Sequence, residues 1–354
     1  MNANELNMDL VSRLLDAPGI AGREEQVRAI VKQEMEPLVD ELEVDAMGSV
    51  IGVKRGSGNG PKVMLAAHMD EIGFMVRFID ENGFIRLQNV GGFDPRVLPA
   101  QRVRVHTRSG EVLLGALQLA SKPIHLLQGS EIKAPKLTQL YVDLGLTADE
   151  VNEKVDIADM ITLDRSVVQV GNNLMSRAMD DRINVFIMLE VLRSLGSHEC
   201  DVIAVATTQE EVGLRGAQTS AYSVDPDVGV ALDVTVAGDS PGVDKQDRVT
   251  KLGEGVAIKA FDSSHIPNYK LVNHFRDIAT EREIPHQVEM LSRGGTDAGA
   301  MQRSRAGMPV ITISMPTRYL HTVNEMVSIA DIHSAISLLG AYLETAHSGD
   351  YRLD

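Results

Sequence analysis

Several acidic and imidazole side chains in this 354-residue chain stand just behind apolar runs, where the carboxyl ends of strands in an open α/β sheet gather ligands. His68 and Asp70 follow the run 63–67, Glu210 and Glu211 follow 202–208, and Asp233 follows 228–232. His321 follows 310–315 after a short loop, and the pair Asp180 and Asp181 opens a helix, where the N-terminus favours carboxylates. Imidazole nitrogen and carboxylate oxygen are ordinary ligands of divalent cations, so this set could hold one or two Zn-like ions. Each piece alone has a plainer reading: a satisfied histidine at a strand end, a helix cap, a solvated acidic turn. The His68-x-Asp70 spacing puts both side chains on one face of a strand, which lets Asp70 orient the His68 ring by accepting its second ring proton. Glu210 and Glu211 are adjacent and point in different directions if still extended, which suits two roles.

The elements that must position these groups can be read from periodicity. Residues 1–70 read as two helices, 8–15 and 23–38, then strands at 43–46, 49–54 and 63–68. Residues 71–167 read as a β-rich insert with hairpins at 73–90 and 102–118, and a helix starting at the capping box Thr147-Ala148-Asp149-Glu150. From 168 onward helix and strand alternate, the mark of a largely parallel sheet covered on both faces. The expected architecture is α/β: a mixed, mostly parallel sheet flanked by helices, formed by 1–70 and 168–354, interrupted by the insert at 71–167.

Composition narrows the class of function. With 34 basic against 50 acidic residues the net charge is −16, the wrong sign for a nucleic-acid partner. Apolar residues make up 44% and charged ones 24%, enough for a sizeable core. The N-terminal 15 residues lack the pattern of a secretory signal, and no apolar run is long enough for a membrane helix. Together with a single cysteine, Cys200, this leads to the expectation of a cytoplasmic protein with no membrane partner.

Six segments, taken in order, resemble the motifs of the tetrahedral aminopeptidases, a family that includes glutamyl and deblocking aminopeptidases and some members labelled endoglucanases. They are Ala67-His68-Met69-Asp70-Glu71-Ile72-Gly73-Phe74, Met179-Asp180-Asp181-Arg182, and Thr208-Gln209-Glu210-Glu211-Val212-Gly213-Leu214-Arg215-Gly216-Ala217. Leu232-Asp233, Gly294-Gly295-Thr296-Asp297-Ala298-Gly299 and Tyr319-Leu320-His321-Thr322 complete the set. The resemblance implies a dinuclear metalloaminopeptidase acting on short peptides. One cation (Zn, Co or Mn) would be held by His68 and Asp233, the other by Glu211 and His321, with Asp180 bridging. Glu210 matches the general base and Asp70 the group behind the first histidine; Arg182, Arg215 and Asp297 match supporting positions. It also implies a PDZ-like inserted domain serving dimerisation, and dimers assembled into a homododecamer. Lys259 and Arg293 lie near motif segments and suggest a pocket for acidic N-terminal residues, with a broad or aliphatic preference as the alternative. His125 and His265 show no partner spacing. Two rivals are a glycoside hydrolase, for which adjacent Glu210 and Glu211, 4% aromatic residues and no Trp are poor equipment, and a non-catalytic scaffold, which would be expected to have lost site residues.

Overall fold

The computed structural model describes residues 6–122, 124–126 and 134–354, so residues 1–5 of the N-terminal stretch read above lie outside it. The chain divides into two compact units, one of 1–70, 166–320 and 324–354, the other of 71–165 and 321–323.

The larger unit is built on an eight-stranded sheet. Its spatial order is Glu41–Val44, Val50–Lys54, Asp201–Thr207, Lys62–His68, Val228–Val236, Val310–Thr317, Val256–Phe261, His286–Met290. The four strands from Asp201–Thr207 to Val310–Thr317 pair in parallel, and those outside them include antiparallel neighbours. The central strand Lys62–His68 shows why both faces need cover: Val63, Leu65 and Ala67 join one core cluster, while Met64 and Ala66 join another. Successive side chains of a strand point to opposite faces, so a strand apolar at every position is stable only between two layers.

The covering layers follow from helix patterning. Met179–Ser194 is buried on almost every side, from Met179 through Leu189, as a helix without a polar face must be. Tyr269–Glu281 buries Leu271, Val272, Phe275 and Ile278 at helical spacing and leaves its other face to water. On the opposite face, Arg215–Val224 and Asp297–Gln302 pack with small residues, including Ala217, Ala221, Ala298 and Ala300. Core leucines such as Leu65 contribute most: truncation to alanine costs about 2–5 kcal/mol at a fully buried site.

The smaller unit is a closed antiparallel barrel, in the order Gly73–Ile79, Ile85–Val90, Leu140–Asp143, Val112–Leu119, Gln101–His106, Met160–Leu163. Alternate residues, Val103 and Val105 among them, fill its interior with Phe74, Val76, Ile85, Leu117 and Ile161. The helix Ala148–Lys154 starts at the capping box read from sequence: the Thr147 hydroxyl accepts the Glu150 N–H at 3.4 Å, and the Glu150 carboxylate accepts that of Thr147 at 2.8 Å. Among the described residues, no helix is long and apolar enough to cross a membrane.

Candidate metal centre

The parallel strands deliver their carboxyl ends to one place. His68 is the last residue of its strand and pairs in register with Thr207, after which the chain turns into Glu210 and Glu211. On the other side Ala66 pairs with Ala231, so Asp233 lies two residues beyond its pair as His68 does. Asp180 and Asp181 stand at the start of Met179–Ser194, with non-helical backbone angles and a cis peptide bond between them. The regular helix therefore begins after them, which frees their carboxylates from the helix surface.

These residues converge inside the larger unit. One donor atom each from His68, Asp180, Asp181 and Asp233, all buried, lie within 4.8 Å of one another, and so do donor atoms of His68, Glu210 and Glu211. His68 Nε2 is 3.0 Å from Asp180 Oδ1 and 3.8 Å from Glu210 Oε2. Both Asp181 oxygens also carry hydrogen bonds: Oδ2 accepts the backbone N–H of His68 at 3.0 Å and Oδ1 accepts from Asn184 at 2.6 Å.

Asp70 departs from the expectation that its carboxylate receives the His68 ring proton. His68 Nδ1 lies 2.9 Å from the backbone carbonyl of Asp70 and 3.7 Å from its carboxylate. The carboxylate is occupied otherwise, accepting the backbone N–H groups of Glu210 and Glu211. Residue 70 thus orients the imidazole through its main chain and the glutamate loop through its side chain.

The loop has its own supports. Glu210 O accepts the N–H groups of Gly213 and Leu214, and Gly216 N–H returns to Thr208 O at 2.9 Å. A Cβ on Gly216 would lie 2.5 Å from that oxygen, so only glycine fits there. Glu24, 1% exposed, accepts from Thr208 Oγ1 and from Gly22 and Gln209 N–H groups. Arg182, fully buried, donates to the carbonyls of Met69, Leu14, Ala17 and Gly19, tying the end of the His68 strand to the first helix. Asp297 accepts from Thr207 Oγ1 at 2.6 Å, and Arg215 donates to the side chain of Gln209. Glu24 and Glu325, whose carboxylate accepts the Asp180 N–H at 3.2 Å, were not read from the sequence. Glu24 carries no pattern that marks it; Glu325 follows His321 by four residues, which is a hint only beside a known motif.

The electrostatics are those of a site built for a cation. Burial pushes the carboxyls of Asp181, Glu210 and Asp233 well above the usual range, and repulsion from neighbouring carboxylates adds to it. Burial also raises Asp70, to about 7. His68 behaves oppositely: burial disfavours its charge, but the Asp180 hydrogen bond and the charges of Asp181, Glu210 and Asp70 overcome that and hold it well above its usual value. Buried carboxylates in excess of the available positive charge demand protons or a multivalent cation. The donor set, hard carboxylate oxygens with an imidazole, fits a divalent ion.

Lys259, Arg293, His265 and His125 fall outside this cluster. Lys259 is fully buried, with its ammonium 2.8 Å from Glu289 and 3.7 Å from Asp262, so its charge is already compensated. Arg293 is exposed. His265 is buried with Nδ1 3.0 Å from Asp262, an ordinary core histidine, and His125 is exposed. His321, in left-handed backbone, belongs to the segment 321–323 that groups with the barrel.

Comparison with known proteins places the chain in a family. The family model of the M42 glutamyl aminopeptidases matches residues 48–338. A lysyl aminopeptidase of Pyrococcus furiosus is 35% identical over 98% of this chain and 99% of its own. Among solved structures, an aminopeptidase of the archaeon Desulfurococcus kamchatkensis superposes with a TM-score of 0.91 at 40% identity, covering 95% of this chain and 94% of that one. The Pyrococcus horikoshii TET1 peptidase, which can assemble into a tetrahedron or a large octahedral shell, gives 0.83 at 30% identity over 95% and 98%. With the matched model covering most of the chain, and the buried acidic cluster lying within it, this protein belongs to the M42 glutamyl aminopeptidase family and is a peptide hydrolase.

Proposed function

We propose that the chain is a metal-dependent aminopeptidase that removes the N-terminal residue of short peptides, with two divalent cations and Glu210 as general base. His68 and Asp233 would hold one cation, Glu211 and His321 the other, and Asp180 both. When bound, the cations supply Lewis acidity toward the scissile carbonyl and toward water. The chain's own part is acid–base work and orientation. Glu210 takes the proton of the attacking water and returns one to the leaving amine, a role helped by burial that raises its pKa.

The observation that carries the reading is the pinning of two adjacent glutamates by one carboxylate, Asp70, which supports separate tasks for Glu210 and Glu211. The test is Glu210→Gln, with metal content measured beside turnover. The expected result is unchanged metal stoichiometry with kcat lower by about 10²–10⁴-fold, the usual worth of a positioned general base. Substantial residual activity in a fully metallated variant would remove Glu210 from that role.

For substrate preference, an acidic N-terminal residue would be met by the exposed Arg293. The compensation of Lys259 by Glu289 favours a second reading, a broad or aliphatic preference. Arg293→Ala decides between them: a fall in the Glu-to-Leu rate ratio on aminoacyl-p-nitroanilides supports the acidic pocket, and an unchanged ratio supports the second. Zn, Co and Mn all suit the donor set. Self-association into a homododecamer built from dimers through the barrel is part of the proposal, supported by the likeness to a tetrahedral assembly. Light scattering checks it against the mass of twelve chains. Cytoplasmic location is proposed on the single buried cysteine.

A further inference from the structure

The larger unit contains a cavity of about 630 Å³ that none of the proposed chemistry uses. Part of its wall is Leu214, in the loop that follows Glu211; the rest includes Gln218 and Tyr222 of the helix Arg215–Val224 and the segment Arg303, Ser304 and Arg305. Two guanidinium groups line it and no carboxylate does, in a chain whose net charge is −16.

Both arginines are held by their inner nitrogens. Arg303 Nε donates to Gly299 O at 2.8 Å, and Arg305 Nε donates to Tyr222 O at 2.8 Å, with Asp225 3.2 Å from the same nitrogen. The Arg305 guanidinium also lies over the Tyr222 ring, 4.4 Å from its centre. No hydrogen bond among the described residues uses the outer nitrogens of either side chain. Between them in sequence, Ser304 is 6% exposed and its hydroxyl has no hydrogen-bond partner. Arg305 holds a left-handed backbone angle, φ +50°, uncommon for a residue other than glycine. Two preoriented forks on one cavity are the equipment that recognises an oxyanion, because a fork matches two oxygens of a carboxylate or phosphate at once.

We propose that this cavity is a binding site for a small organic anion, whose carboxylate or phosphate meets Arg303 and Arg305 while its apolar part lies against Leu214. The site is separate from the metal cluster, and its occupancy does not depend on how that cluster works.

The experiment is isothermal titration of the intact protein with sodium phosphate and, separately, sodium succinate, against sodium chloride at matched ionic strength. The variants are Arg303→Gln, Arg305→Gln, Ser304→Ala and Gln218→Glu. Gln218 is exposed and its side chain makes no described hydrogen bond, so its variant folds while placing a negative charge in the cavity. Saturable binding is expected, weakened at least 10-fold by either arginine variant and by Gln218→Glu, and left unchanged by Ser304→Ala, whose hydroxyl is sealed from the cavity. Any phosphate held by the metal centre survives all four substitutions, so the difference between wild type and variants reports this cavity. Binding of phosphate without succinate assigns phosphate esters; binding of both admits carboxylates. A response that follows ionic strength alone, or that Gln218→Glu leaves unchanged, overturns the proposal.

Discussion

The Asp70 carboxylate accepts the backbone N–H of Glu210 at 3.0 Å through one oxygen and that of Glu211 at 3.2 Å through the other. Asp70 itself is fully buried, so this pair of bonds fixes where both glutamates leave the loop. Asp70→Asn keeps the shape but replaces one acceptor oxygen by an amide donor facing an N–H. One buried donor then goes unsatisfied, at a cost of about 1–3 kcal/mol. The expected outcome is a fall in kcat/KM of about 10–100-fold with a lowered thermal midpoint, a loss smaller than that of Glu210→Gln. Steady-state kinetics beside calorimetry check it, and an unaltered rate would show that the loop holds its geometry without Asp70.

A cation should stabilise the fold, because the carboxylates it neutralises are already buried together. Asp180, Asp181 and Asp233 share one cluster with His68, and burial with mutual repulsion opposes the charge of Asp181 and Asp233. An ion that binds the native state alone stabilises it by about 2.7 kcal/mol when present at a hundredfold excess over its dissociation constant. Chelation is therefore expected to lower the unfolding midpoint, and Zn, Co or Mn to restore it in a concentration-dependent way. A midpoint indifferent to chelator and to added metal would mean that the cluster folds as protonated acids.

Much of the frame was legible because burial patterns repeat. The strand read at 63–68 is Lys62–His68, the helix read at 23–38 is Glu25–Met35 followed by one 3-10 turn, and the capping box at Thr147 starts its helix as read. What escaped was structure set by partners distant in sequence. Val168–Val170, Asn173–Ser176 and Glu325–Ser328 form a small antiparallel sheet, and its first strand is three residues long and exposed throughout, too short for its alternation to mark it. Val256–Phe261 was also missed, since Lys259 breaks its apolar run; the run closes only because Glu289 on the neighbouring strand neutralises that charge. In the site, residue types at strand ends pointed to His68, Glu210, Glu211 and Asp233. They could not disclose that Asp70 uses its carbonyl on the ring, nor that Glu24 and Glu325 brace the loops.

Cys200 is sealed in the core and donates its thiol to the carbonyl of Leu343 at 3.3 Å. Burial pushes the thiol up to about 11, so at neutral pH almost none is thiolate, the form that attacks electrophiles. Maleimide or a disulfide reagent at pH 7 is expected to leave the native protein unlabelled and to modify one residue per chain in denaturant. Native-state labelling on the timescale of the unfolded control would show that this end of the sheet opens.

Acid stability should carry the signature of Asp262. Burial alone opposes its ionisation, but hydrogen bonds from His265 and Ser264 and the charges of His265 and Lys259 prevail and hold it at about 2, against 3.8 for an unstructured aspartate. A group with a depressed folded pKa contributes stability that is whole above its unfolded value and lost as the pH falls through the folded one. The contribution is on the order of 1–2 kcal/mol once solvent screening is allowed for, and the window runs from about pH 4 down to about pH 2. Asp262→Asn removes the ionisable group while keeping much of the shape. Urea unfolding at pH 5, 3.5 and 2.5 should then show a wild-type advantage that shrinks steadily toward the lowest pH. An advantage that stays constant across that window would mean that Asp262 stabilises through shape and neutral hydrogen bonds, and that its charge contributes nothing to the fold.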